Sequence, residues 1–337
     1  MNTRFIRVAG AAVAVATSLT LVACGGGTEA ADSGSAASAA PAGPFEYKDA
    51  RGTTVSLATT PTTVVAQSSV AAALLDAGYQ VAGAYGELKP DAAGKLSYQA
   101  GSLDLTKIQV IGSTYGEFDT EKYALMNPEL LVDFTYDATA LWYVPAAQSE
   151  KILALAPSVA VPGDYDTTDA AIQTFVDLAG KLGADTGSAT VTSAKADYDA
   201  ALKEVSEVAK TSGLKVAVMS PSTDSLYVAD PDYLPEGNTL KAQGLDMISP
   251  ENPKKEVFAQ ESWEKAPQYA DADVILVDAR TYDDQKAALA KVATWANLPA
   301  VKAGQVYNWY AAAPYSYQSY AKIYNELATE LAAAKKL

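Results

Sequence analysis

The chain has 337 residues with 25 Lys+Arg against 40 Asp+Glu, a net charge of −15, one cysteine and no histidine. Such an acidic surface repels phosphodiester backbones and anionic headgroups, which excludes nucleic acid and a lipid face as partners. Without histidine there is no Ser-His-Asp or Cys-His catalysis and no His-ligated zinc, manganese or haem, and a lone cysteine makes neither an internal disulfide nor a thiolate cluster.

The chain opens on a secretory pattern. Arg4 and Arg7 precede an apolar run from Val8 to Val22, which is short for a membrane span of about 20 residues. The run closes on Leu21-Val22-Ala23-Cys24 followed by three glycines. Leu-x-Ala-Cys resembles the bacterial lipobox, and the resemblance implies cleavage before Cys24 and thioether lipidation of its sulfur. The alternative is an ordinary signal peptide with a stray cysteine. Removing residues 1–23 takes away two arginines and no acid, so the mature chain stands at −17. Residues 24–44 are the lipidated cysteine and a Gly, Ser, Ala, Thr and Pro linker with nothing to bury, and order begins at Phe45.

From there, short β-rich runs alternate with helical stretches. Thr63–Gln67, Val81–Tyr85, Gln109–Gly112, Leu130–Phe134 and Ser158–Val161 form one strand series. Lys215–Ser220, Asp273–Asp278 and Gln305–Trp309 form a second. Val274-Ile275-Leu276-Val277 is a continuous apolar run, as expected of a strand covered on both faces. The alternation predicts an α/β protein with parallel sheets. Between the series, Ile172, Phe175, Val176, Ala179 and Leu182 keep a helical period that stops at Gly183. Tyr198, Leu202, Val205 and Ala209 mark another helix ending at Gly213, and Tyr320, Ile323, Tyr324, Leu327 and Leu331 mark a C-terminal one. The domain boundary falls in the first of these helices. That gives an N-terminal α/β lobe over 45–166, a connecting helix over 167–184 and a C-terminal α/β lobe over 185–337. No P-loop or G-x-G-x-x-G fingerprint is present.

Several segments, in order, resemble the substrate-binding proteins of ABC importers for iron–siderophore complexes, cobalamin and haem. They are Tyr47-x-Asp49-x-x-Gly52-x-x-Val55, Leu74-Leu75-x-x-Gly78, Val81-x-Gly83, Ile111-Gly112 and Glu121-x-x-x-Leu125-x-x-Pro128-Glu129-Leu130-Leu131-Val132. They continue with Ile152-x-x-Leu155-Ala156-Pro157-Ser158-Val159, Ser262-Trp263-Glu264, Ala272-Asp273-Val274 and Leu298-Pro299-Ala300-Val301-x-x-Gly304-Gln305-Val306. The resemblance implies two parallel-sheet lobes joined by one long rigid helix, with the ligand in the cleft between them. Related manganese and zinc binders rest on clustered histidines, which this chain lacks.

In open α/β sheets, ligands sit outside the carboxyl ends of the strands. Here those ends are aromatic: Tyr85, Tyr115, Tyr136 and Trp142 in the first lobe, and Tyr227, Trp309 and Tyr315 in the second. Aromatics supply rigid contact area with a polar tip, although many of them pack cores. Arg280 follows the apolar strand ending at Asp278, and its guanidinium either grips ligand oxygens or pairs with Asp278, Asp283 or Asp284. Only Arg51 and Arg280 survive signal cleavage, which disfavours a highly anionic ferric tris-catecholate and favours a hydroxamate. The resemblance further implies that Glu121 and Glu264, one on each lobe, meet arginines of the permease, and each also suits a helix N-terminus.

The expected function is therefore an extracytoplasmic, lipid-anchored, monomeric receptor on the cell membrane that delivers a ferric siderophore to an ABC permease and its ATPase. It is not an enzyme. It needs no cofactor and no metal site of its own, since ferric iron arrives inside the siderophore. The alternatives are cobalamin or haem as ligand, a secreted hydrolase using an acid pair, and a sensor or adhesion lipoprotein.

Overall fold

The computed structural model describes residues 43–251 and 256–337. The signal segment, Cys24 and nearly all of the linker lie outside the described residues. Among the described residues no helix is long and apolar enough to cross a membrane.

The described chain starts with an antiparallel hairpin, β1 (Phe45–Lys48) and β2 (Thr54–Leu57). Five parallel strands come next: β3 (Val64–Gln67), β4 (Gly83–Tyr85), β5 (Gln109–Val110), β6 (Leu130–Thr135) and β7 (Ser158–Pro162). Their spatial order is β5-β4-β3-β6-β7. The order reverses between β3 and β6, so a crevice opens beyond the carboxyl ends of that pair. Helices α1 (Ser68–Asp76), α2 (Thr120–Leu125) and α3 (Ser149–Leu153) provide crossovers. Val64, Val132, Phe134, Val159 and Val161 bury on one face of the sheet, and Val65, Leu131, Ala160 and Tyr85 on the other, as period-two strands require. The hairpin caps the β7 edge. Ala50 N–H donates to the Ala160 carbonyl at 2.9 Å, and Arg51 Nη2 donates to the Ser158 carbonyl at 2.6 Å while pairing with Asp49. Arg51 is therefore a structural residue that covers an exposed sheet edge.

The second sheet contains the three expected strands as β8 (Lys215–Pro221), β12 (Val274–Asp278) and β13 (Val306–Trp309), all parallel. It also holds β9 (Leu226–Ala229), β10 (Asp246–Met247) and β11 (Phe258–Glu261). The chain order across it is β11-β9-β8-β12-β13, with β10 beside the start of β8. β9 and β11 run antiparallel, so one half of this sheet departs from the expected all-parallel pattern. A turn explains it: Ser222 N–H donates to the Ser225 carbonyl at 2.9 Å and folds β8 directly back into β9.

Between the sheets stand α4 (Thr168–Lys181) and the 24-residue α5 (Ala189–Ser212), the long helix that links the two lobes. Thr167 and Ser188 cap their N-termini, and Gly213 ends α5 in the left-handed region at φ 58. At 1.5 Å per residue, α5 runs about 36 Å. Past the short helices α7 (Tyr282–Leu289), α8 (Ala293–Ala296) and α9 (Pro299–Lys302) in chain order comes α10 (Tyr317–Ala333), and α5 packs along it, burying Tyr198, Val205 and Ala209 against Tyr320, Tyr324, Leu327 and Leu331. One apolar cluster thus runs without a break from Val64 and Val132 of the first lobe to Val216 and Val274 of the second. Residues 167–184, expected as the connection, form α4, which packs on α1, on β1 and on α6 (Pro235–Ala242).

Candidate functional site

The crevice forecast by the strand order is built on β6. Leu130 to Thr135 are buried throughout, including the carboxylate of Asp133 in the middle of the apolar run. Asp133 accepts from Phe134 N–H at 2.7 Å, Tyr143 N–H at 3.0 Å and the Tyr85 hydroxyl at 2.9 Å. Burial pushes its pKa up to about 7, against the pull of those donors. These bonds fix both ends of the segment that leaves β6. In that segment Asp137 Oδ1 accepts from Thr139 N–H at 2.8 Å and Ala140 N–H at 3.0 Å, and those bonds, Thr139's first, hold its pKa down at about 2. Ala138 takes φ 57 at the turn. The result is a row of edge-to-face rings: Tyr136 on Trp142 at 5.0 Å, Trp142 on Tyr143 at 4.7 Å, and Tyr143 on Tyr115 at 5.0 Å. The Tyr143 hydroxyl donates to Glu87 at 3.1 Å, and burial with Glu87 pushes its pKa up, so it remains a phenol.

These rings line a chamber of about 450 Å³ that belongs to the first lobe. Tyr136 and Trp142 also line a second chamber of about 220 Å³ between the lobes. Its far wall comes from the second lobe: Glu236 on α6, Phe258 on β11, Trp309 at the end of β13, Arg280 after β12, and Tyr315. Arg280 pairs with Asp278 in a fork, Nε to Oδ1 at 2.9 Å and Nη2 to Oδ2 at 2.6 Å. Its Nη1 meets no acceptor among the described residues, and it is the sole Lys or Arg among the described residues that line either chamber. Trp309 is only 9% exposed, and its indole N–H has no partner among the described residues. That nitrogen is closed off from the chamber, so it is an unpaired donor inside the wall and is not presented to a ligand. Glu236 is fully buried, accepts from the Tyr320 hydroxyl, and has its pKa raised by burial. The site thus offers one cationic donor, beside the buried Glu236, in a largely aromatic cleft. It suits a bulky ligand rich in oxygen acceptors.

Six of the eight residues expected at the ligand lie here together: Tyr115, Tyr136, Trp142, Arg280, Trp309 and Tyr315. Arg280 makes the expected pair with Asp278 and also lines the second chamber. Tyr85 does not reach the cleft. It is 0% exposed, packed edge-on against Phe118 at 4.9 Å, because the last position of β4 faces the inner layer. Tyr227 sits inside β9 rather than at a strand end, and Phe258, whose ring lies 6.4 Å from it, occupies the cleft in its place. Sequence reasoning missed Glu236, Phe258 and Gly163. Pro235 at a helix start gave a signal for the position of Glu236, and nothing marked Phe258 on an unforeseen strand. Glu121 lies in the first turn of α2 and Glu264 in the first turn of a 3₁₀ segment over Trp263–Tyr269. Both are exposed, and neither enters an ion pair among the described residues. No three His, Cys, Asp or Glu side chains gather into a metal site among the described residues. A larger groove of about 580 Å³ lies between residues 95–102, Tyr310 just after β13, and α10.

A model of the periplasmic binding protein family matches residues 92–313, well over half of the chain. Among solved structures, the chain is 37% identical to DesE, a ferric-siderophore receptor protein from Streptomyces coelicolor. The match covers 87% of this chain and 100% of that one, with a TM-score of 0.79. FhuD2 from Staphylococcus aureus, solved with bound ferrioxamine B, is 20% identical over 80% of this chain and 98% of its own, at a TM-score of 0.56. Staphylococcus aureus SirA, complexed with staphyloferrin B, is 19% identical over 87% and 99%, at 0.57, and these two likenesses speak for the fold. No curated protein matches the chain.

Proposed function

Because the chain belongs to the periplasmic binding protein family, whose members bind solutes and perform no chemistry, we propose that it is the receptor for a ferric siderophore. In this reading it is lipid-anchored through Cys24 on the outer face of the cell membrane and passes its cargo to an ABC permease and its ATPase. The 37% identity to a ferric-siderophore receptor along nearly the whole folded chain supports the ligand class. The observation that carries the finer reading is Arg280, the sole Lys or Arg among the described residues lining either chamber, with Nη1 unpaired among the described residues, on the wall of a largely aromatic cleft. One guanidinium among aromatic faces suits the carbonyl and N–O oxygens of a neutral or cationic ferric hydroxamate. A ferric tris-catecholate carries several negative charges and would meet a protein at −17 with a single arginine in the cleft. Glu121 and Glu264, exposed and uncommitted, are the residues assigned to permease docking.

The test is a fluorescence titration of the mature protein. Two of its four tryptophans, Trp142 and Trp309, line the cleft. Ferrioxamine B should quench emission along a saturable curve, and a ferric tris-catecholate, haem and cobalamin should bind more weakly or not at all. Tighter binding of the catecholate would overturn the charge argument, and the absence of any saturable ligand among the four would overturn the receptor reading.

A further inference from the structure

Gly163 comes directly after β7 and lies beneath the ring of Tyr136. A Cβ built on Gly163 would fall 2.2 Å from Tyr136 Cε1, 2.4 Å from Cδ1 and 2.5 Å from Cζ. These are separations that packed carbon atoms do not reach. The backbone gives no reason for glycine here, because Gly163 is not among the glycines at positive φ. Its N–H donates to the Thr135 carbonyl at 2.8 Å, which brings the two chain segments together. Tyr136 is 50% exposed and is held from the other side by Trp142. Its ring is part of the wall of both chambers.

We propose that Gly163 is a positioning residue that sets the passage between the two chambers. It does so by letting the Tyr136 ring lie flat over the end of β7. Any larger side chain at 163 lifts that ring off β7 and closes the two chambers, which share Tyr136 and Trp142, off from each other. Gly163 thereby fixes the size of ligand accepted: one that extends from the rings of the first lobe to Arg280 and Trp309 of the second. The ligand part of this inference rests on the reading of the cleft as the siderophore site. The contact itself does not.

The experiment compares Gly163→Ala, Tyr136→Ala and the double variant. Without ligand, Gly163→Ala should change tryptophan emission through Trp142, whose ring is 5.0 Å from Tyr136. The change should vanish in the Tyr136→Ala background and in a Trp142→Phe background. With ligand, Gly163→Ala should weaken ferrioxamine B by about ten- to a hundredfold while costing the compact ferric tris(acetohydroxamate) much less. In the Tyr136→Ala background, adding Gly163→Ala should cost nothing further, because there is no ring left to lift. If Gly163→Ala fails to fold, the double variant should fold, since the crowded atoms belong to the ring alone. An emission change that persists without Tyr136, or a double variant that fails to fold, would overturn the proposal. So would equal losses for both ligands. If no hydroxamate binds the unmodified protein, the receptor reading fails, and the emission result alone still decides the role of Gly163.

Discussion

Asp133 provides the sharpest test of how the site is held. Its carboxylate is buried in the middle of β6, and its pKa is raised from 3.8 to about 7 by desolvation. In the unfolded chain it would titrate at its ordinary value. The folded state therefore holds a proton that the unfolded state has released between about pH 4 and pH 7. The stability associated with that proton is fully present below pH 3.8 and is lost as pH rises through about 7. The distance from 3.8 to about 7, at about 1.4 kcal/mol per pH unit, bounds the loss at about 4 kcal/mol. Glu236, Glu330 and Asp76 are also raised by burial and add slope of the same sign, so a single variant is needed to isolate Asp133.

Asp133→Asn removes the titration and keeps the shape. An asparagine cannot accept at both of its side-chain ends, so one of the bonds from Phe134 N–H, Tyr143 N–H and Tyr85 is lost, at a cost of about 1 kcal/mol. The variant should therefore be less stable than the unmodified protein near pH 4 and equal or more stable near pH 8. Urea unfolding at four or five pH values between 4 and 8 measures the crossing. Two parallel curves, separated by a constant difference, would refute the assignment of a raised pKa to Asp133.

The other expectations concern the ligand, the partner and the anchor. Arg280→Ala should weaken a ferric hydroxamate by about ten- to a hundredfold, and Arg280→Lys should recover only part because lysine lacks the fork that Asp278 orients; equal affinity by fluorescence titration would make this arginine purely structural. Trp309→Phe keeps an aromatic face but loses part of the contact area, so it should weaken a ferric hydroxamate, and unchanged affinity in the same titration would remove Trp309 from the site. Glu121→Ala with Glu264→Ala should leave affinity intact and lower uptake by cells, and uptake at the unmodified rate would remove the docking role. Cys24→Ala should abolish lipid labelling and membrane retention, and retention unchanged would refute the anchor.

The central strands were legible because a strand covered on both faces leaves a continuous apolar run, as in Leu130-Leu131-Val132 and Val274–Val277. β1, β2 and β11 were not, because short edge strands alternate polar and apolar positions much as loops do, and β9, though interior, is a four-residue run between turns. The aromatics at strand ends pointed to the cleft with two errors, Tyr227, which lies inside β9, and Tyr85. Tyr85 ends β4, but its side of the sheet is the buried one, and a one-residue difference in register decides that. Asp133 carried a usable signal, an acid within an apolar strand, which burial makes costly unless it has a structural task. Gly163 carried none, because its importance lies in a ring 27 positions away in sequence.

The two lobes present their donors by the same local device. Each uses a carboxylate at or near the end of a central strand to orient the residues just beyond that strand. In the first lobe Asp133 takes backbone and phenol donors and so steers the segment that carries Tyr136, Trp142 and Tyr143. In the second, Asp278 takes Arg280 N–H at 3.0 Å as well as the guanidinium fork, so main chain and side chain are turned together. Both acids are nearly inaccessible, so neither competes with a ligand for the groups it holds. The lobes are in turn tied to each other beside the cleft. The Tyr98 hydroxyl donates to the Ala311 carbonyl at 2.7 Å, and Ser316 Oγ donates to Asp76 at 2.6 Å. Together with the unbroken apolar cluster along α5 and α10, these ties make wide hinge opening expensive. A preset cleft avoids the ordering cost of closing on each ligand. Selectivity must then come from fixed shape and from Arg280, which is why single substitutions on the walls of such a site should matter most.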